Sequence, residues 1–129
     1  MIKKITNYTL LLAVGLLLGK FLSSFAPVDD RFKIKTGNYQ TYIADPKYRI
    51  KLYGTDDCGY CKKLKHIFDN NEIEYIYANV LEDKTFKKQF DELGEGSTPL
   101  VIIGESLIQG FHKELIISEL TKLGYKISP

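Results

Sequence analysis

The sequence predicts a mixed α/β fold in which a small sheet is covered by helices on both faces. From Tyr48 onward, short apolar segments of strand length alternate with segments whose apolar residues recur at helical spacing. The resulting order is βαβαββα, and a βαβ unit followed by a hairpin and a helix produces a mixed sheet. The two cysteines of the sequence, Cys58 and Cys61, fall between the first strand and the first helix, a position typical of a dithiol or disulfide centre.

Seven elements account for the part of the chain after Tyr48. Strands are indicated by runs of β-branched, aromatic and aliphatic residues, and helices by apolar side chains three or four positions apart. A turn at Gly104–Ser106 joins the last two strands. The predicted strands are Arg49–Gly54, Ile73–Ala78, Leu100–Ile103 and Leu107–Ile108, and the predicted helices are Tyr60–Asn70, Glu82–Leu93 and Lys113–Leu123.

The first 26 residues are predicted to be a signal peptide or a membrane anchor. Lys3 and Lys4 precede the uncharged apolar run Leu10–Gly19, the pattern of a secretory signal, and the positive-inside rule sends the rest of the chain outward. Residues 5–25 provide the roughly 20 residues that a helix needs to span a bilayer, so an uncleaved hydrophobic helix is favoured. Cleavage after Ala26 is the alternative, although it would leave Pro27 at the new terminus. The protein is therefore expected to face the periplasm or the extracellular side, anchored in the membrane or secreted to the periplasm.

Residues 27–47 are predicted to be a linker with one short strand, and residues 48–129 to be the folded domain. Phe32–Lys35 alternates apolar and basic residues, and Thr36–Asn38 has the composition of a turn. A chain of 129 residues has room for one modest domain, which we expect to be monomeric.

Charge and composition exclude several other functions. Without the three lysines of residues 1–26, the 18 basic residues fall to 15 against 16 acidic ones, a balance that argues against a nucleic-acid partner. Two cysteines with His66 and His112 lack the spacing of a zinc site, so no metal site is predicted. We expect His66 to lie on the helix surface and His112 to serve the start of the last helix.

Three motifs in order make the segment Leu52–Lys126 resemble the glutaredoxin group of the thioredoxin fold. The first is the C-x-x-C motif with Tyr60 before the second cysteine. The second is Thr98-Pro99, where the family has a cis-proline loop. The third is the sequence Ile108–Phe111 ahead of the last helix. The resemblance implies a thioredoxin-like, glutaredoxin-type domain that acts as a thiol–disulfide oxidoreductase.

The resemblance and the local chemistry together suggest a role for each site residue. Cys58 at the start of a helix is the expected attacking sulfur, because free N–H groups and the helix dipole favour a thiolate there. Cys61, one turn further, is the expected resolving sulfur. The backbone at Thr98 is expected to pair with an extended substrate. The expected substrate-binding residues are Tyr60, Thr98, Pro99, Gly110 and Phe111.

Charged residues around the cysteine pair bear on its redox character. Asp56 and Asp57 directly precede Cys58 and disfavour its thiolate, which indicates a reducing or isomerising centre. Lys62 and Lys63 add positive potential, but we expect them mainly to form a solvated helix surface.

Departures from the glutathione-using members favour protein thiols and disulfides as partners, together with an unidentified redox partner that recharges the pair. Those members carry a lysine where this chain has Thr55, and a Gly-Gly motif with an acidic residue where it has Gln109–Lys113. No cofactor is expected beyond the redox-active disulfide Cys58–Cys61. Two alternatives remain open, a glutathione-dependent glutaredoxin and a non-catalytic module that binds a partner or a soft metal ion through the two thiolates.

Overall fold

The computed structural model describes residues 33–94 and 96–128. This part of the chain forms strands β1 Lys33–Thr36, β2 Ile50–Gly54, β3 Ile76–Asn79, β4 Leu100–Ile103 and β5 Ser106–Gln109, and helices α1 Gln40–Ile43, α2 Gly59–Asn70, α3 Lys84–Leu93 and α4 Lys113–Lys122. From residue 48 onward the order of elements is βαβαββα, which confirms the predicted succession.

The five strands form one mixed sheet in the order β1-β5-β4-β2-β3. The β2–β3 pair is parallel, and the other three pairs are antiparallel. The pairing register aligns Tyr53 of β2 with Leu100 of β4, and Leu100 with Gln109 of β5. The end of β2, the start of β4 and the end of β5 therefore lie at the same edge of the sheet.

Two apolar cores lie on opposite faces of the sheet, as predicted. Alternate side chains of β2 point to opposite faces, so that Ile50 and Leu52 belong to one core and Tyr53 to the other. The first core contains Leu64 and Phe68 of α2 with Ile116 and Leu120 of α4, and the second contains Phe90 and Leu93 of α3. Helix α2 thus packs on the first core, and its first turn lies at the end of the sheet where β2 ends.

The predicted linker contributes to the sheet. Its expected short strand is β1, which pairs with β5 from Thr36↔Ser106 to Lys33↔Gln109. Ile43 at the end of α1 is buried in the second core. The Lys51 side chain donates a hydrogen bond to the carbonyl oxygen of Tyr42 across 2.7 Å. The folded sheet therefore starts before residue 48.

Two predicted elements begin later in the structure than their sequence patterns indicated. Strand β3 begins at Ile76 because the chain turns at Glu72, with φ at 53°, and the backbone N–H of Ile73 bonds back to the carbonyl of Phe68. Helix α3 begins at Lys84 because the Asp83 carboxylate accepts hydrogen bonds from the first free backbone N–H groups.

The predicted N-terminal hydrophobic helix lies outside the described residues. Within residues 33–94 and 96–128, each helix is too short or too polar to cross a membrane.

Candidate active site

Cys58 occupies the N-cap of α2. Its backbone is extended, with φ −75° and ψ 107°, and its carbonyl accepts the hydrogen bond from the N–H of Lys62. The Cys58 Sγ accepts a hydrogen bond from the backbone N–H of Cys61 at 3.2 Å. This sulfur therefore lies at the positive end of the helix dipole, where a thiolate is stabilised.

The two cysteines are joined by a disulfide, and their accessibility differs. Their Cα atoms are 5.2 Å apart. Cys58 is half-buried, whereas Cys61, in the first turn of α2, is 1% exposed. An approaching sulfur can therefore reach Cys58, while Cys61 is shielded. Among the described residues, no group of three or more His, Cys, Asp or Glu side chains is placed to hold a metal ion.

Gly54, the last residue of β2, supports the buried sulfur. A Cβ atom at this position would lie 2.9 Å from the Sγ of Cys61 and 3.3 Å from the ring of Tyr77. Only a glycine allows this close approach of strand and sulfur. The sequence analysis did not single out Gly54, although a glycine at the end of a strand just before the cysteine motif was the available signal.

Three loops lie at the end of the sheet that carries Cys58: the loop before α2, the loop before β4 and the loop after β5. The Thr98–Pro99 peptide bond is cis, as the resemblance implies, and the Pro99 carbonyl accepts a hydrogen bond from the N–H of Gly110 at 2.9 Å. Thr98 is half-buried. The Gln109 side chain donates a hydrogen bond to Ser97 Oγ. Hydrogen bonds from the end of β5 and the residue after it therefore fix the residues before and after Thr98.

Tyr60 and Phe111 stack face to face across this edge. Their ring centroids are 5.7 Å apart and their planes differ by 15°. Tyr60 remains 56% exposed, and the Lys63 Nζ lies 5.1 Å from its ring centroid. Gly110 permits the preceding turn because its φ is 80°, a value that side chains rarely adopt.

A second set of contacts flanks the site on the side of β3. The Tyr77 hydroxyl donates a hydrogen bond to Asp56 Oδ1 at 3.1 Å, and the Lys65 Nζ lies 3.9 Å from the Tyr77 ring centroid. Burial raises the pKa of Tyr77 to about 12, and its bond to Asp56 adds to this effect. Tyr77 was not among the predicted site residues, because its pairing with Asp56 depends on the tertiary fold.

The two histidines lie where the sequence analysis expected. The Nδ1 of His112 accepts a hydrogen bond from the backbone N–H of Leu115 and so caps α4. His66 is exposed on α2 and shares a hydrogen bond with the Asn70 side chain.

The match to known families covers the region that carries this site. A model of the glutaredoxin family matches residues 50–108. An uncharacterized glutaredoxin-like 8.6 kDa protein in the rubredoxin operon of Clostridium pasteurianum is 32% identical over 75 residues, which cover 57% of this chain and 95% of that protein.

Two solved structures share the architecture. A point mutant of the thioredoxin-like protein BC3987 superposes with a TM-score of 0.54 at 26% identity, covering 57% of this chain and 95% of the other. The glutaredoxin-like protein NrdH-redoxin from Escherichia coli, reported with a thioredoxin-like activity profile, has a TM-score of 0.50 at 26% identity over 54% of this chain and 92% of its own. The chain therefore belongs to the glutaredoxin family and carries a Cys58–Cys61 pair on the thioredoxin-like fold of thiol–disulfide oxidoreductases.

Proposed function

We propose that this protein exchanges electrons with disulfides of other proteins outside the cytoplasm through its CGYC motif. The observation that carries the proposal is the asymmetry of the pair, since Cys58 is accessible at a helix start and Cys61 is buried behind it. One accessible and one shielded sulfur are what a two-step exchange requires.

In the reduced protein, the Cys58 thiolate attacks one sulfur of the partner's disulfide. That S–S bond breaks, a mixed disulfide forms on Cys58, and the partner's other sulfur leaves as a thiolate that takes up a proton. The Cys61 thiolate then attacks the Cys58 sulfur, so that the Cys58–Cys61 disulfide forms and the partner's remaining sulfur leaves and is protonated. Two electrons thereby pass from this chain to the partner.

The surroundings of Cys58 support the first step. The Cys61 N–H and the α2 dipole stabilise negative charge on its sulfur in the thiolate form. Asp56 and Asp57 directly precede Cys58, and negative charges close to a sulfur act against a thiolate there.

Several features favour a protein over glutathione as the partner. The Cβ position of Gly59 has no atom within 4 Å, which leaves room for a backbone beside Cys58. The exposed ring of Tyr60, supported by Phe111, offers apolar area that glutathione has no apolar side chain to cover. Thr98 and Pro99 provide the proposed backbone contact for an extended segment. The thioredoxin-like activity profile reported for NrdH-redoxin is consistent with a protein partner.

The proposed location outside the cytoplasm is based on the sequence of residues 1–26. Their positive start and apolar run support a membrane anchor, with a secreted form as the second possibility. Outside the cytoplasm a reduced pair needs a dedicated electron source, so a membrane or periplasmic dithiol protein would recharge Cys58–Cys61. Carbonate-resistant membrane association of the full chain, lost on deletion of residues 1–26, would support the anchor. Recovery of the full chain in the soluble fraction would contradict it.

The test of the activity is the reduction of insulin disulfides by the protein in the presence of a dithiol reductant. The parent chain should accelerate insulin precipitation, and Cys58→Ser should reduce the rate to that of the reductant alone. Unchanged turnover by Cys58→Ser would overturn the proposed function.

A further inference from the structure

Lys63 of α2 differs from Lys87 and Lys88 of α3 in its partners. On α3, Lys87 pairs with Asp91 and Lys88 with Glu92, each one helical turn away. Across the two described stretches of the chain, Lys63 of α2 has no carboxylate oxygen within ion-pair distance. Within the described residues no carboxylate therefore offsets its charge, although Lys63 lies only five residues after Cys58.

Lys63 is held instead over an aromatic ring that is itself fixed. Its Nζ lies 5.1 Å from the ring centroid of Tyr60, and the ring of Phe111 stacks on Tyr60 with the two centroids 5.7 Å apart. Gly59, Tyr60 and Lys63 line a shallow depression directly beside Cys58. We name this surface the cationic ledge. It combines an open apolar ring with an ammonium group that a ligand can reach.

The residues directly before Cys58 in the sequence are acidic. Asp56 and Asp57 precede the cysteine, and Asp56 is fixed by its hydrogen bond from Tyr77. Acidic side chains thus precede Cys58 and basic ones follow it in the sequence, and one of the basic ones, Lys65, lies over the Tyr77 ring. Charge alone then favours a partner with an acidic side chain on the ledge side of its reactive cysteine.

We propose that the cationic ledge selects protein segments in which an acidic residue and an apolar residue flank the reactive cysteine. This inference rests on the proposed function, because it names the substrate class of the same site. The acidic side chain pairs with Lys63, and the apolar side chain covers the exposed ring of Tyr60. Glutathione carries carboxylates but no apolar side chain, so it meets only half of these requirements.

The expected preference is modest, because the ion pair is exposed to solvent. Such pairs change an equilibrium by about two- to fivefold, and salt weakens them. The test uses three peptides that carry an apolar residue and a cysteine coupled to thiopyridine, and that differ only by Glu, Gln or Lys next to the cysteine. The reduced protein releases thiopyridone from each peptide, and the absorbance gives the rate of attack by Cys58.

The Glu peptide should react about two- to fivefold faster than the Gln peptide, with the Lys peptide slowest, and 1 M salt should remove the difference. Lys63→Glu should reverse the order, and Lys63→Met should abolish it. Lys88→Glu on α3 is the matched control and should keep the parent order. Circular dichroism of each variant establishes that it is folded.

Equal rates for the three peptides, or an unchanged order in Lys63→Glu and Lys63→Met, would overturn the inference while leaving the proposed function intact. A thiopyridyl derivative of glutathione that reacts faster than the Glu peptide would overturn the assignment to a protein segment. Failure of all three peptides to release thiopyridone would overturn the proposed function and this inference together.

Discussion

Gly54 and Cys61 lie so close that the strand end and the buried sulfur leave no space for a methyl group between them. A Cβ atom on Gly54 would be 2.9 Å from the Sγ of Cys61 and 3.3 Å from its Cβ. The sheet therefore fixes the position of the shielded sulfur directly. The position of the Cys61 sulfur thus depends on a residue outside the cysteine motif.

We predict that Gly54→Ala destabilises the protein by about 1–3 kcal/mol, because an added methyl group overpacks this contact. Urea unfolding of the oxidised form followed by far-UV circular dichroism measures the change. Gly59→Ala is the matched control, since nothing lies within 4 Å of its Cβ position. If the Gly54→Ala protein were as stable as Gly59→Ala, the end of β2 would accommodate the added methyl group and the prediction would be wrong.

Alkaline pH should destabilise the fold through its tyrosines. Burial raises the pKa of both Tyr75 and Tyr77 to about 12, with bonds to Asp69 and Asp56 as further causes. In the unfolded chain these phenols ionise near their ordinary pKa of about 10. Between about pH 10 and 12 the unfolded state then binds fewer protons than the folded state, so stability falls as the pH rises.

Urea midpoints between pH 8 and 11.5 would measure this decline. The double variant Tyr75→Phe/Tyr77→Phe should show a shallower fall than the parent, since two of the titrating groups are gone. The same slope in both proteins would assign the alkaline loss to other groups, such as Tyr53, whose pKa burial also raises.

The features that sequence analysis predicted correctly depend on local patterns. Apolar periodicity sets the succession of strands and helices after Tyr48. The helix predicted from Tyr60 begins at Gly59, with Cys58 at its N-cap. The cis bond before Pro99 followed from the family resemblance. The roles proposed for Cys58 and Cys61 rest on spacing within a single helical turn, and they stay predictions.

The features that it missed depend on contacts between distant parts of the chain. Strand β1 pairs with β5, which lies about 70 residues later in the sequence. The composition of residues 27–47 therefore did not reveal that β1 belongs to the sheet. The stacking of Tyr60 on Phe111 and the bond from Tyr77 to Asp56 each join two different elements. The apolar periodicity of a single segment carries no information about contacts between two segments.

Lys51 of β2 is another residue whose contacts the local sequence pattern did not reveal, and it gives a third prediction. Lys51 is 3% exposed, and its Nζ donates to the Tyr42 carbonyl and to Gln89 Oε1. Burial lowers the pKa of Lys51. We expect Lys51→Met to cost about 1–3 kcal/mol, because it removes the donor that binds the partly buried carbonyl of Tyr42 and so connects α1 with the sheet.

Urea unfolding measures this loss, and limited proteolysis between Thr36 and Tyr48 reports whether α1 detaches. Lys47→Met is the control, because Lys47 pairs with Glu74 on the surface, where an ion pair contributes little to stability. Equal stability of the two variants, with no new cleavage site, would show that methionine packing replaces the lost hydrogen bonds.

The difference in access between the two cysteines predicts opposite behaviour for their serine variants. In Cys61→Ser the first attack by Cys58 proceeds, but no second sulfur can release the partner, so the mixed disulfide accumulates. In Cys58→Ser the remaining sulfur is 1% exposed and should form little adduct. Incubation with a disulfide-containing protein, acid quenching and non-reducing electrophoresis would show the Cys61→Ser adduct as a band that dithiothreitol removes. Equal adducts in both variants would mean that the Cys61 sulfur is reachable after reduction, and the assignment of attacking and resolving roles would then be wrong.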